Sequence, residues 1–343
     1  MEKKLNVVAV IASVLLAGGY ILKHLGWGAG VYVPLFILGG VALLITAVGA
    51  AILGRREGLE EARQAAQPPP RPTPEEAIAR AAEEGATELD LSAMGLESLP
   101  SELFELTQLE TLDLTGNDLT TLPPEIGEIK NLKVLDLTSS MFRTLPAEIT
   151  KLTGLESLLL VDNQMDSVGP EIGQLGKLKE LSLHHTEIDA LPAEIGNLSN
   201  LEDLDLGRNM IGSLPPELWK LSKVTTLMLE SNEFTELPAG ISGLKSVQFL
   251  GLGETPLKEV PAEIGQLGNL EELYLNDTEI TTLPPEIGQI KTLKTLSLTG
   301  CPLVSLPESI KDLPDLEALY LDAEQVEKLE PWVKELPSLS VRD

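Results

Sequence analysis

A Leu-x-Leu triplet recurs along most of the chain with a constant spacing of 23 residues. It occurs eleven times without an insertion or deletion, at 89–91, 112–114, 135–137, 158–160, 181–183, 204–206, 227–229, 250–252, 273–275, 296–298 and 319–321. Chance cannot produce such a register, and self-similarity at a period of about 20 to 50 residues is typical of solenoids whose units stack on one another. The triplets therefore predict a stack of similar coils that share one core.

Each position of the repeat has a physical role. The alternation within Leu-x-Leu predicts a short strand whose leucines point inward while the residue between them points outward. Parallel strands stack at about 4.8 Å, so eleven of them predict a curved sheet about 50 Å long. A Leu-Pro dipeptide closes most repeats, and a glutamate row follows it: Glu102, Glu125, Glu148, Glu171, Glu194, Glu217, Glu263 and Glu286. This row indicates either a stripe that binds cations or a basic partner or, as we favour, acidic first turns of short helices.

The complete unit, LxxLxLxxNxLxxLPxEIGxLxx, resembles the leucine-rich repeats of the Ras-suppressor and plant intracellular Ras-group type over residues 86–343. The resemblance implies an α/β fold, a leucine-rich-repeat solenoid with a curved parallel sheet of about eleven repeats. It also implies a structural ladder after the strands, formed by Asn117, Asn163, Asn209, Asn232 and, in place of asparagine, Cys301. Ser140, Thr186, Thr255 and Thr278 occupy the same position in other repeats.

Two uncharged runs at the N-terminus, residues 5–22 and 31–53, are each long enough to approach or cross a bilayer core of about 30 Å. They predict an all-α transmembrane hairpin, a two-span membrane anchor over residues 1–56. The lysines before the first run and Arg55–Arg56 after the second predict an integral protein of the inner or plasma membrane with the repeats in the cytoplasm. Two alternatives stay open: a first run cleaved as a signal sequence, and a cell-surface recognition or adhesion protein with the repeats outside.

The segment between the anchor and the repeats contains a proline-rich stretch. Residues 57–73 therefore predict a juxtamembrane segment and an extended linker. Thr73, Pro74 and Glu76 form the pattern of a capping box, which predicts an N-terminal cap helix over 74–85. Its apolar residues available to cover the open end of the repeat core are Ala77, Ile78, Ala81 and Ala82.

Charge limits the class of partner. The chain has 53 acidic and 25 basic residues, and residues 75–343 hold 49 of the acidic ones but only 18 of the basic ones. A surface so acidic repels phosphate backbones, so nucleic acid is not expected as a partner, whereas a basic protein would be attracted. No small-molecule substrate is expected.

The sequence also lacks the patterns of common catalytic sites. No GxxxxGK[ST], GxSxG or HExxH motif occurs. The adjacent His184 and His185 would diverge at a strand end, so no metal site is predicted. Cys301, the single cysteine, is expected to be a buried structural thiol in a reducing compartment. We predict a protein that is not an enzyme, with no catalytic residues and no cofactor. The row formed by Asp90, Asp113 and Asp136 is interpreted as solvated; the alternatives are that it binds a hard cation or a basic peptide.

The concave face of the predicted sheet offers the best candidate surface. Its middle repeats carry apolar and aromatic residues where a purely solvated sheet would carry Thr, Ser, Asp and Glu. Met228, Phe249 and Tyr274 come from three consecutive strands and predict one exposed patch, with a depression left by Gly251 and Gly253. The predicted partner-binding residues are Leu159, Val161, His184, Asp203, Asp205, Met228, Glu230, Phe249, Glu272, Tyr274 and Tyr320. They predict a membrane-anchored scaffold or adaptor that docks a segment with basic and apolar residues. The alternative is that the apolar side chains of the patch are exposed incidentally.

Overall fold

A computed structural model of the chain describes residues 71–342. Its first element is helix α1, Pro74–Glu84. Oγ1 of Thr73 accepts a hydrogen bond from the amide of Glu76 at 3.3 Å, and Oε2 of Glu76 accepts one from the amide of Thr73 at 3.0 Å. The predicted capping box is therefore confirmed, and Gly85 ends the helix in the left-handed conformation with φ of 62°.

Helix α1 contributes two side chains to the core of the repeats. Ile78 and Ala81 are buried in it, and Ala77 packs against it half-buried. Ala82, which the sequence also offered as an inward residue, is exposed. Successive residues of a helix are about 100° apart around its axis, so Ala81 and Ala82 cannot both face the core.

The described residues form one parallel sheet of twelve strands in chain order. The strands are β1 Glu88–Asp90, β2 Thr111–Asp113, β3 Val134–Asp136, β4 Ser157–Leu159, β5 Glu180–Ser182, β6 Asp203–Asp205, β7 Thr226–Met228, β8 Phe249–Gly251, β9 Glu272–Tyr274, β10 Thr295–Ser297, β11 Ala318–Asp322 and β12 Leu339–Arg342. From β1 to β11 each strand pairs with the next at an offset of 23 residues, as Leu204 does with Leu227. The inward leucines of the triplets are buried, so the sheet and its core confirm the predicted solenoid.

Short 3₁₀ helices run on the side of the core opposite the sheet. They span Ser101–Glu105, Pro124–Glu128, Ala147–Lys151, Pro170–Gln174, Ala193–Asn197, Pro216–Lys220, Ala239–Gly243, Ala262–Gln266, Pro285–Gln289, Glu308–Asp312 and Pro331–Glu335. Every member of the glutamate row lies in the first turn of one of these helices. That position places a negative charge beside the unpaired amides, as the preferred explanation of the row requires. Close stacking demands small residues: a Cβ on Gly196 would lie 2.6 Å from the carbonyl oxygen of Glu217 in the next repeat.

The ladder asparagines are buried and join neighbouring repeats. In each of Asn117, Asn163, Asn209 and Asn232, Nδ2 donates to one carbonyl three residues earlier and to another 26 residues earlier. The hydroxyls of Thr186, Thr255 and Thr278 lie within hydrogen-bond distance of the carbonyl three residues earlier. Those of Thr186 and Thr278 also reach the ladder side chain of the next repeat, at Oδ1 of Asn209 and Sγ of Cys301. Sγ of Cys301 lies 3.0 Å from the carbonyl oxygen of Leu275, 26 residues earlier, and Oγ of Ser140 is buried without a hydrogen-bond partner.

The C-terminal end of the ladder uses a residue that the sequence pattern did not single out. Gln325 lies in the short helix α2, Ala323–Lys328, and its side chain is buried. Nε2 of Gln325 donates to the carbonyl oxygens of Leu298 at 2.9 Å and Cys301 at 2.7 Å. The side-chain amide of Gln325 therefore pairs with two carbonyl groups of the preceding repeat. Gln325 lies one position after Glu324, which occupies the ladder position of the last repeat.

The predicted membrane localisation is contradicted by the helices of the described residues. The longest helix within 71–342 is α1 with 11 residues, which spans about 16 Å at about 1.5 Å per residue. No helix in this part of the chain is long and apolar enough to cross a bilayer. The prediction of an integral membrane protein with a cytoplasmic repeat domain is therefore withdrawn. The predicted spans at 5–22 and 31–53, the anchor 1–56 and the linker up to residue 70 lie outside the described residues.

Candidate functional site

The register of the strands decides which outward side chains become neighbours. Met228, Gly251 and Tyr274 lie directly opposite one another on β7, β8 and β9. Phe249 is opposite Glu272 in the adjacent row of the same face. The predicted patch is thus centred on β8 and β9, and Gly251 leaves a gap between Met228 and Tyr274.

Phe249 and Tyr274 form an aromatic pair on this face. Their ring centroids are 5.2 Å apart and the rings are inclined by 32°. Such tilted pairs gain about 0.5–1.5 kcal/mol beyond the area they bury. Both side chains, and that of Met228, are half-buried rather than fully exposed as predicted, because large outward side chains on neighbouring strands cover part of one another.

Glu272 fixes the orientation of Tyr274. The phenolic hydroxyl donates a hydrogen bond of 2.9 Å to Oε2 of Glu272, two residues earlier on β9. Partial burial raises the pKa of Tyr274, and the hydrogen bond and negative charge of Glu272 raise it further. The tyrosine therefore stays a neutral donor, and its ring is held beside Phe249.

A hollow of about 220 Å³ lies next to the aromatic pair. Its lining consists of Glu230, Phe249, Gly251, Gly253, Glu254, Tyr274 and Asn276. A Cβ on Gly251 would lie 2.8 Å from Oε2 of Glu230, and one on Gly253 would lie 2.7 Å from Oδ1 of Asn276. The depression predicted from the two glycines is therefore present, and side chains at those positions would fill it.

Beside the hollow, three ionisable side chains from consecutive repeats come together. His184 follows β5, Asp205 ends β6 and Glu230 follows β7. One ligand atom from each lies within 4.8 Å of the others, and Nδ1 of His184 is 3.3 Å from Oδ1 of Asp205. Sequence reasoning listed all three residues but rejected a metal site because it considered His184 only with His185. The usable signal was the 23-residue period, which places His184 and Glu230 in one row two repeats apart, with Asp205 on the strand between them.

Burial raises the pKa of Glu230 above its ordinary value. The negative charges of Asp205 and Glu254 act in the same direction, while the hydrogen bond from its own backbone amide and the charge of His184 lower it. Oε2 of Glu230 is shielded from solvent and has no hydrogen-bond partner. Glu230 is therefore a partly desolvated carboxylate whose charge is left without a cationic side chain bonded to it.

Of the remaining predicted partner-binding residues, Asp203 lies within this centre on β6 and the other three lie away from it. Leu159 and Val161 are half-buried on and after β4, three strands from β7, and Asp203 is exposed on β6. Tyr320 on β11 is separated from Tyr274 by β10 and packs instead under Arg342, whose guanidinium is 4.4 Å from the ring centroid. The predicted set thus forms a centre on β5–β9 with two outlying groups, and Arg342 is a contact residue that sequence reasoning missed.

The aspartates of the first three strands are already satisfied by their own turns. In each of Asp90, Asp113 and Asp136, Oδ1 accepts a hydrogen bond from the amide two residues later at 2.8–2.9 Å. One oxygen of each carboxylate is therefore engaged within its own turn; Asp90 is exposed, and Asp113 and Asp136 are half-buried.

The repeat consensus, the parallel sheet and the ladder define a class of protein. The family model described as "Leucine-rich repeat region" matches residues 88–183, 169–250 and 247–341. The chain belongs to this leucine-rich repeat family.

Solved structures of the same fold come from bacteria and plants. A leucine-rich repeat protein of Leptospira interrogans is 28% identical, with 77% of this chain and 98% of that chain covered and a TM-score of 0.44. The functional domain of InlJ from Listeria monocytogenes is 22% identical over 72% of this chain and 53% of that one, with a TM-score of 0.61. The plant peptide hormone receptor RGFR1, in complex with RGF2, is 25% identical over 71% and 46%, with a TM-score of 0.54. The chain spans about half the length of the latter two, and no curated protein matches it.

Proposed function

We propose that the repeat domain is a non-catalytic protein-interaction scaffold or adaptor, and that its concave face binds a segment with basic and apolar residues. The observation that carries the proposal is the Phe249–Tyr274 pair, 5.2 Å apart, beside an acidic hollow. The pair supplies apolar area and the surrounding carboxylates supply charge. The Ras-suppressor-like consensus makes signalling the expected setting.

The aromatic pair suits the centre of a binding surface. Aromatic side chains bury a large area on association and lose few rotatable bonds, which is why they are enriched among the residues that dominate interface energies. The contact between the two rings and the hydrogen bond from Tyr274 to Glu272 hold the pair in place before a partner arrives. Less entropy is then lost on binding.

Acidic side chains around the pair favour a basic partner. Glu230 and Glu254 line the hollow, Glu272 lies beside Phe249, and Asp203 and Asp205 lie on β6. Carboxylates arranged around an apolar centre steer a cationic segment toward it and accelerate association at low ionic strength.

The comparison with the plant receptor supports a protein or peptide as the ligand. That receptor is described in complex with RGF2 and shares the fold with this chain at 25% identity. A recognition role outside the cell, the alternative drawn from the sequence, would use the same face and predicts the same effects of substitutions there.

Selection of displayed random peptides against the full chain tests the proposal. We expect the selected peptides to combine Lys or Arg with apolar residues and to bind more weakly as salt increases. The double variant Phe249→Ala/Tyr274→Ala should weaken their binding at least about tenfold, which corresponds to about 1.4 kcal/mol. The control is Met141→Ala, which removes a side chain that is 53% exposed and lies outside the strands.

Two results would contradict the proposal. One is a set of selected peptides without basic residues; the other is binding that survives in the double variant while its circular dichroism stays that of the wild type. Equal loss in Met141→Ala would show that the surface bound is not the concave one.

A further inference from the structure

We propose that His184, Asp205 and Glu230 bind a divalent transition-metal ion on the concave face, with zinc the best fit. This site is distinct from the aromatic pair, and the proposal stands whether or not that pair binds a protein. It reverses the sequence expectation of no metal.

The donor set is the first argument. One imidazole and two carboxylates, each from a different repeat, have ligand atoms within 4.8 Å of one another. Imidazole nitrogen and carboxylate oxygen are both ligands of zinc, and catalytic zinc sites keep three protein ligands with an open fourth position, whereas calcium and magnesium prefer sites built from oxygens. A tetrahedral zinc site needs ligand atoms about 3.3 Å apart, so the most widely separated pair must draw together by up to about 1.5 Å. Nδ1 of His184 and Oδ1 of Asp205 already stand at 3.3 Å.

The second argument is the state of the Glu230 carboxylate. Its Oε2 is shielded from solvent and lacks a hydrogen-bond partner in the described part of the chain. That oxygen lies on the Gly251 side, whereas Oε1 lies near Gly207, which His184 also approaches. A charged carboxylate with one oxygen buried and unpaired is costly, and a cation bound at Oε1 would offset that cost. The charged groups that act on Glu230 are Asp205, Glu254 and His184, none of which is a lysine or arginine.

The third argument is the space around that carboxylate. Gly207 lies between His184 and Glu230 in the same row of the face, and Gly251 lies on the other side of Glu230. A Cβ on Gly207 would lie 3.0 Å from Nδ1 of His184 and 3.1 Å from Oε1 of Glu230, and one on Gly251 would lie 2.8 Å from Oε2. Gly207 therefore leaves room for His184 and Glu230 to close on an ion, and Gly251 leaves room for the far oxygen of Glu230.

The neighbouring His185 forms an ordinary pair of one histidine with one carboxylate. Its Nδ1 lies 2.6 Å from Oδ1 of Asp162, and its side chain is 58% exposed, compared with 27% for His184. His185 has one carboxylate beside it, whereas His184 has two. His185 is therefore the matched control for a test of His184.

Calorimetric titration of the full chain with zinc chloride tests the proposal. The protein should carry no histidine tag and should first be stripped with a chelator. We expect one site with a dissociation constant of about 10 μM or tighter, which corresponds to about −7 kcal/mol. His184→Ala and Glu230→Gln should each weaken it at least about tenfold, while His185→Ala should stay within about twofold. Cobalt should give visible absorption bands that are lost in the same two variants.

Circular dichroism of the metal-free variants separates lost ligands from lost folding. A wild type that binds no zinc at 100 μM would overturn the proposal, and so would equal losses in His184→Ala and His185→Ala. Neither result would bear on the proposed protein-binding role, because that role is tested by substitutions at Phe249 and Tyr274, which are not among the proposed metal ligands.

Discussion

Nδ2 of Asn209 donates a hydrogen bond of 2.7 Å to the carbonyl oxygen of Leu183, which lies 26 residues earlier in the preceding repeat. The same nitrogen also donates to the carbonyl oxygen of Leu206 in its own repeat at 2.9 Å. One amide therefore joins the backbones of two coils, whereas a threonine hydroxyl at the equivalent position reaches a backbone carbonyl of its own coil only. Contacts of such a threonine with the next coil are to a side chain, as from Thr186 to Asn209. The strength with which neighbouring repeats are held together consequently varies along the stack.

Completing the ladder at position 140 should stabilise the domain. Oγ of Ser140 is buried without a partner, and Ser139 before it has φ of 53°, close to the 54° of Asp162 and Arg208 before ladder asparagines. Because the backbone already has the required conformation, Ser140→Asn should gain about 1 kcal/mol of unfolding free energy through the missing hydrogen bonds. Chemical denaturation measures this. Asn209→Ala is the matched control and should lower the midpoint; a lower midpoint for Ser140→Asn would refute the prediction.

The thiol of Cys301 should be unreactive in the folded protein. Burial raises the pKa of Cys301, and the carboxylates of Asp277 and Asp322 raise it further, although its contact with Thr278 acts in the opposite direction. The thiolate is the reactive form, so labelling by a thiol reagent at neutral pH should be slow in the native state. It should reach one equivalent in denaturant, because the chain has one cysteine. Rapid labelling of folded protein would contradict the buried ladder position.

Neutralising Glu230 should stabilise the metal-free protein at neutral pH. Burial raises the pKa of this carboxyl in the folded state, so folding binds a proton and the charged form opposes folding. Stability due to this group is therefore complete below the unfolded pKa of about 4.3 and is lost as the pH rises through the higher folded value. Glu230→Gln should be more stable than the wild type at pH 7, and the difference should vanish near pH 4. Denaturation curves at both pH values check this, and a difference that grows on acidification would contradict it.

The ionisation of Tyr274 should report its contact with Glu272. Burial is the largest cause of its raised pKa, and the hydrogen bond to Glu272 is the next. Glu272→Gln should therefore lower the pKa of Tyr274 but leave it above that of an exposed tyrosine. Ultraviolet absorbance titration measures the change, and subtraction of the Tyr274→Phe titration isolates this residue. An unchanged pKa in Glu272→Gln would show that the hydrogen bond is absent in solution.

The period of the sequence was enough to predict the strands and their order. A leucine pair every 23 residues can be buried only if the coils stack, and stacking fixes that Leu204 faces Leu227. The same period predicted that Phe249 and Tyr274 would come from adjacent strands and that Gly251 and Gly253 would leave a depression. Local patterns were equally reliable at Thr73 and Glu76, because a capping box involves residues three positions apart.

The sequence by itself determined the solenoid, because a leucine pair recurs at a fixed spacing, and the acidic character of its surface, because composition fixes the charge. The ladder followed from the resemblance of the repeat to a known family. Only the tertiary structure decided that Glu230 turns between His184 and the aromatic hollow, that Tyr320 packs under Arg342, and that Gln325 ends the ladder. These contacts depend on side-chain torsions and on the space that neighbouring repeats leave. A period specifies which positions become neighbours, whereas packing decides which atoms of those neighbours meet.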